Sequence, residues 1–191
     1  MRRLGVVVEG AGDQAAVPVV VRAHLFREEI FDVNVGWPLN TKGRGKLLRA
    51  GELERFVKLA ALEPDTTGVL VVCDSDDDLP CVLGPDLTQR CQDALPSLPV
   101  RACLAVREFE NWLIASAETL APSTQTVLDD YEAVAAEPRI SAWKTPRSYV
   151  KPLHQPALAA DLDLDLVAHR CPSFARLLCC INELVRKDDP D

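Results

Sequence analysis

In GVLVVCDSDDDLP, residues 68–80, an apolar run breaks abruptly into Asp74, Asp76, Asp77 and Asp78. Carboxylates crowded this closely repel one another and raise each other's pKa, and a divalent cation is the simplest partner that offsets the cost. Residues i and i+2 of an extended segment point to the same side, so Asp74 and Asp76 are expected to face one pocket, with Asp78 continuing the row. Magnesium takes hard oxygen ligands and retains several waters, so two or three such carboxylates suffice. A further acid, Glu9, stands directly behind the apolar run of VVVEG, where a charge is costly without a partner. Glu108 and Glu110 follow another apolar run, in PVRACLAVREFENW. The plainer alternative for DSDDD alone is a solvated turn and helix cap. A calcium-binding EF loop is excluded, because Leu79 stands where that loop needs glycine and Pro85 where it needs glutamate.

These acids can meet only if the elements before them run side by side. LGVVVEG (4–10) reads as a buried strand ended by glycine. The segment after it reads as a turn and helix, with Asp13 as N-cap and Pro18 tolerated only near the first turn. FDVNVGW (31–37) alternates apolar and polar residues and reads as a strand with one exposed face. NTKGRGKLLRAG is a glycine-punctuated basic loop, and GELERFVKLAALE (51–63) an amphipathic helix with Glu54 four residues before Lys58. The run before Asp74 is a third strand, GPDLTQRCQDALPS a helix, and residues 99–116 a strand running into a helix near Glu108. Such alternation with short connections predicts an α/β fold, a mostly parallel sheet flanked by helices. Function in such sheets collects at the carboxyl ends of the strands, where Glu9, Asp74, Asp76, Glu108 and Glu110 would gather. Residues 1–116 are read as this domain, and 117–191, proline-rich and without a convincing strand, as a helical C-terminal extension packed on it.

Composition narrows the class. At 191 residues, 48% hydrophobic and 26% charged, the chain is expected to fold around a sizeable core. Its formal net charge of -8 argues against indiscriminate phosphate binding but leaves room for a locally basic face or for bridging metal ions. No apolar stretch approaches the roughly 18 residues of a membrane span, and no signal peptide is expected at the N terminus. The seven cysteines form no CxxC pair, and several lie in apolar runs, which points to packed, reduced thiols and a cytoplasmic location.

The combination of Glu9 in VVVEGAGD with Asp74 and Asp76 in VVCDSDDD resembles a Toprim domain, the catalytic fold of topoisomerases, primases and the overcoming-lysogenization-defect (OLD) nucleases. Asp13 completes a VEGxxD form similar to that of the nuclease branch. Over nearly its whole length the chain also resembles a bacterial Toprim-like family, domain-of-unknown-function family 4276. The segments that carry this likeness are VEGAGDQAAVPVVVR, KGRGKLLRAGELERFV, DSDDD, REFENWLIAS and QPALAADLDLDL…SFARL. The Toprim resemblance implies metal-dependent phosphodiester hydrolysis. Asp74 and Asp76, with Asp78 beside them, would hold Mg2+ or Mn2+, and Glu9 would bind metal or act as general acid or base. Asp13, Glu108 and Glu110 would serve a second metal or support the first. It further implies a nuclease subunit of bacterial defence or DNA maintenance, acting on nucleic acid, DNA first, with a separately encoded ABC- or SMC-type ATPase. The chain has no GxxxxGK[ST] loop of its own. A homo-oligomer is left open.

Lys42, Arg44 and Lys46 in TKGRGK would stand on one side of an extended loop, spaced by glycines that let backbone approach a phosphate. Trp112 reads as core or pocket wall rather than a base-stacking platform. His24, His154 and His169 form no ligand pattern, and Tyr149 and Lys151 read as an ordered loop that could also reach a substrate. Two rivals to the nuclease reading stay open: a non-catalytic Toprim-like adaptor, and a haloacid-dehalogenase-like phosphatase. The latter expects its DxD on the first strand.

Overall fold

In the computed structural model, which describes residues 1–121, 128–143 and 149–186, the apolar runs fall where period-two burial demands strands. β1 (Arg2–Val8) leads through Gly10 into α1 (Ala11–Arg27), followed by β2 (Val33–Val35), β3 (Leu39–Asn40), α2 (Arg44–Leu47) and α3 (Glu52–Ala61). β4 (Thr66–Asp74), α4 (Pro80–Ala94) and β5 (Val100–Ala105) complete the alternation. The remaining described elements are helices: α5 (Glu110–Ile114), α6 (Ala117–Leu120), α7 (Glu137–Trp143), α8 (Lys151–Ala160), α9 (Leu164–Arg170) and α10 (Pro172–Val185). The sheet runs β2-β1-β4-β5, with β3 also on β1, and every pairing is parallel.

Side chains alternate across this sheet. Leu4, Val6, Val8, Leu70, Val72, Cys103 and Ala105 enter one core cluster, with residues of α1, α5, α9 and α10. Val7, Val69, Val71, Cys73, Val100, Ala102 and Leu104 enter the other, with residues of α3 and α4. Helix α10 is thus a layer of the main core, packed against β4 and β5. Trp112 is fully buried, its ring 5.0 Å from Phe109 and 5.3 Å from Phe174, and its Nε1 donates to Ser173 Oγ at 2.8 Å. It is a core residue. Among the described residues no helix is long and apolar enough to cross a membrane.

Three local expectations need correction. The segment 31–37 is not one strand: β2 stops before Gly36, and pairing to β1 resumes only at Leu39, beyond Pro38, which has no N–H to donate. Helix α1 continues through Pro18 for two further turns, because burial of Ala16, Val17, Val20, Val21 and Leu25 outweighs the hydrogen bond lost at the proline. Asp13 is not the N-cap. Gly10 is, and Asp13 lies three residues on, its Oδ2 accepting the Gly10 N–H at 3.1 Å.

Candidate functional site

β1 and β4 lie side by side with Val8 opposite Val72, so both strands end at the same edge of the sheet. Glu9 is the first residue past β1, and Asp74 the last of β4. Asp74 Oδ1 accepts the Phe109 N–H at 2.8 Å, which ties the end of β4 to the chain leaving β5. The Glu9 Oε2 atom is buried without a hydrogen-bond partner among the described residues. Burial raises the pKa of Glu9, and the charges of Asp13 and Asp76 raise it further, against the pull of Arg44. Asp74 is pushed well above the usual carboxylate range, first by burial and then by the charges of Asp13 and Glu110, with Lys151 opposing. Burial also raises Asp13 and Glu110. Four carboxylates from three parts of the chain therefore share one poorly solvated region.

Beyond Asp74 the chain does not stay extended. Ser75 is buried, its N–H donates to the Ala105 carbonyl at 2.8 Å, and its Oγ accepts the Arg107 N–H at 2.9 Å. Held by that strand end, the chain reverses: Asp76 takes a φ of 48°, and the Asp78 N–H returns to the Ser75 carbonyl at 2.9 Å. The row expected from Asp74 through Asp78 is thus broken by a turn. Asp76 and Asp78 are exposed at 59% and 56% and share a clamp instead, with Arg44 Nε 3.3 Å from Asp76 and its Nη2 on Asp78. The same guanidinium donates to the carbonyls of Asp74 and Ser75.

Arg44 reaches that position because TKGRGK is not an extended loop. Lys42 adopts a φ of 64°, Gly43 follows at 108°, and Arg44 opens the short helix α2. Of the three cations, Lys42 is exposed, Arg44 turns toward the aspartates, and Lys46 Nζ lies 5.5 Å over the Phe56 ring. They do not line one side.

Glu108 and Glu110 have separate work. Glu108 Oε1 accepts the N–H groups of Ala136 and Glu137 at 2.7 and 3.0 Å, which caps α7. Glu110 is fully buried, accepts the Tyr149 hydroxyl at 2.8 Å and faces Lys151 Nζ at 3.2 Å. That Lys151 also faces Glu137 at 3.5 Å and Glu108 at 3.9 Å. Burial lowers the Lys151 pKa, but the acids around it, Glu110 and Asp74 foremost, reverse this and leave it raised.

From the sequence, Lys151 and Tyr149 stood as an ordered loop, and Gln155 drew no attention. The fold sets all three at the site, because α8 packs along α1. Gln155 is buried, and its Nε2 donates to Asp13 Oδ1 at 3.3 Å. Its own Oε1 is buried without a partner among the described residues. The closeness of α1 and α8 depends on Gly12, where a Cβ would lie 2.0 Å from Gln155 Oε1. The one sequence signal for α8 was the charge pattern: a lone lysine among prolines, in a chain with excess acid.

A family model, Domain of unknown function (DUF4276), matches residues 8–182. The chain belongs to this family. The matched span of this DUF4276 protein runs from the last residue of β1 into α10, so it includes every residue named above at the site. No curated protein and no solved structure matches the chain. Among the described residues, no group of three or more His, Cys, Asp or Glu side chains is gathered to hold a metal ion.

Proposed function

We propose that this DUF4276 protein is a metal-dependent nuclease of Toprim type that hydrolyses phosphodiester bonds, with DNA as the first candidate substrate. One observation carries the reading: Glu9 and Asp74 leave adjacent parallel strands at one edge, raised in pKa by burial and mutual charge, with a buried Glu9 oxygen that lacks a partner. Such a pair suits a hard cation, which needs only one or two protein carboxylates when water and substrate phosphate supply the rest. Glu9 and Asp74 would hold Mg2+ or Mn2+, with exposed Asp76 within reach. The bound ion would lower the pKa of a coordinated water and offset phosphoryl charge. Arg44 can exchange Asp76 and Asp78 for a phosphate, since those two carboxylates are half in solvent. Lys151 keeps Glu110 ionised and offsets the field of the site from the α8 side. Lys42 and Lys46 flank this entrance, and a separately encoded ABC- or SMC-type ATPase is the expected partner in defence or DNA maintenance.

A second reading, a non-catalytic Toprim-like adaptor, is favoured by the extent to which Arg44 and Lys151 already balance the acids. Thermal unfolding with added Mg2+ or Mn2+ separates the two. A ligand at about 100 times its Kd stabilises the folded state by about 2.7 kcal/mol, roughly 5–10 °C for a chain of this size. Wild type should show such a shift, Asp74→Asn should lose it, and any cleavage of DNA should disappear with it. Absence of a shift in wild type at millimolar metal would remove the nuclease reading and leave the adaptor.

A further inference from the structure

Neither the acid cluster nor core packing accounts for Arg107. It is exposed, and its backbone sits at φ 61°, a left-handed conformation that non-glycine residues adopt at a cost. Two hydrogen bonds hold it there: the Arg107 N–H donates to Ser75 Oγ at 2.9 Å, and the Arg107 carbonyl accepts the Asp76 N–H at 3.0 Å. Asp76 is itself left-handed at 48°. Two strained residues brace each other just past the ends of β4 and β5. Both line an open cavity of about 510 Å³, whose other walls include Glu108, Glu137, Pro138 and Ser141.

The balance of charge in that cavity decides what it can take. Asp76 faces Arg44 at 3.3 Å, Glu137 faces Lys151 at 3.5 Å, and Glu108 is held by two backbone amides and by Lys151 at 3.9 Å. Each carboxylate on the wall already has a positive partner. The Arg107 guanidinium makes no ion pair among the described residues, so the uncompensated charge is positive. We propose that this cavity is a phosphate-binding site, in which Arg107 forks onto the oxygens of a nucleotide phosphate beside the acids at the strand ends. A guanidinium presents paired N–H donors matched to a phosphate, and a braced backbone reduces the ordering cost of using them. The cavity is of the size that takes a small ligand, and a nucleotide falls in that class. That the nucleotide belongs to a polynucleotide rests on the nuclease reading. The phosphate itself does not.

The test uses a 5′-fluorescein-labelled oligothymidylate, followed by anisotropy across a salt series in calcium buffer, and thymidine 5′-monophosphate in thermal unfolding. Arg107→Asn removes the charge while tolerating the left-handed backbone, and Arg107→Lys restores charge without the fork. Arg107→Asn should weaken oligonucleotide binding about tenfold and reduce the salt slope by about 0.7, with Arg107→Lys recovering part of the affinity. The mononucleotide should raise the melting temperature of wild type and not of Arg107→Asn, with both proteins folded by circular dichroism. Oligonucleotide binding with affinity and slope unchanged in Arg107→Asn would overturn the inference and leave the nuclease reading standing. Mononucleotide stabilisation that needs Arg107, without oligonucleotide binding, would uphold the phosphate site and remove the polynucleotide. No response of wild type to either ligand would overturn the site outright.

Discussion

Helix α8 reaches the acids only because position 12 carries no side chain. A Cβ at Gly12 would lie 2.0 Å from Gln155 Oε1, 3.0 Å from Lys151 Cβ and 3.1 Å from Gln155 Cδ. The first distance is far inside van der Waals contact, and Gln155 is 1% exposed, so its amide has no open space to swing into. Overpacking of this kind costs about 1–3 kcal/mol, while replacing a helical glycine by alanine returns about 0.5–1 kcal/mol. Gly12→Ala should therefore destabilise by about 1–2 kcal/mol net, roughly 2–8 °C in Tm. Gln155→Ala removes two of the three obstacles and leaves only Lys151 Cβ. In that background Gly12→Ala should be neutral or stabilising by up to about 0.5–1 kcal/mol, a change of sign that makes the coupling about 1–3 kcal/mol. Urea denaturation of the four proteins measures it. An equal effect of Gly12→Ala in both backgrounds would mean that α8 does not lie against α1 in this way, and the delivery of Lys151 to the site would fall with it.

Two further outcomes follow from the charges. Lys151→Met should cost about 2–3 kcal/mol at neutral pH, below the 3–5 typical of a fully buried pair because Lys151 is 37% exposed, and adding Glu110→Gln should restore more than half. Strict additivity in that cycle would show that the two side chains do not depend on each other. In metal-free buffer, Asp74→Asn should be more stable than wild type at neutral pH. The folded pKa of Asp74 is raised, so the folded state holds its proton where the unfolded chain has lost it. The stability this contributes is complete below the unfolded value of about 4 and is lost as pH rises through the folded pKa. The advantage of Asp74→Asn should therefore shrink toward pH 4, and an advantage independent of pH would refute the crowding of Asp74 by burial and charge.

Much of the architecture is set by local pattern. The runs before Glu9 and Asp74 are apolar on both faces, which only a sheet covered on both sides can satisfy, and alternation with helices makes that sheet parallel. Parallel neighbours end at the same edge, so the meeting of Glu9 and Asp74 was legible from strand ends alone. So was the burial of Trp112.

What the sequence left open was everything that contacts over long chain separations decided. Ser75 is pinned by Ala105 and Arg107, some thirty residues on, and that pin turns DSDDD from an extended row into a reversal. Arg44 leaves its expected phosphate-facing row because the carbonyls of Asp74 and Ser75, about thirty residues later, offer it acceptors alongside two carboxylates. Lys151, Tyr149 and Gln155 belong to the site because α8 folds back onto α1, an approach that a single absent Cβ permits. Hydrophobic periodicity is a property of neighbours along the chain, and it determined the strands and the edge where they end. The partner of a buried charge is chosen by whatever the completed fold brings within about 4 Å, and only the tertiary structure could choose it.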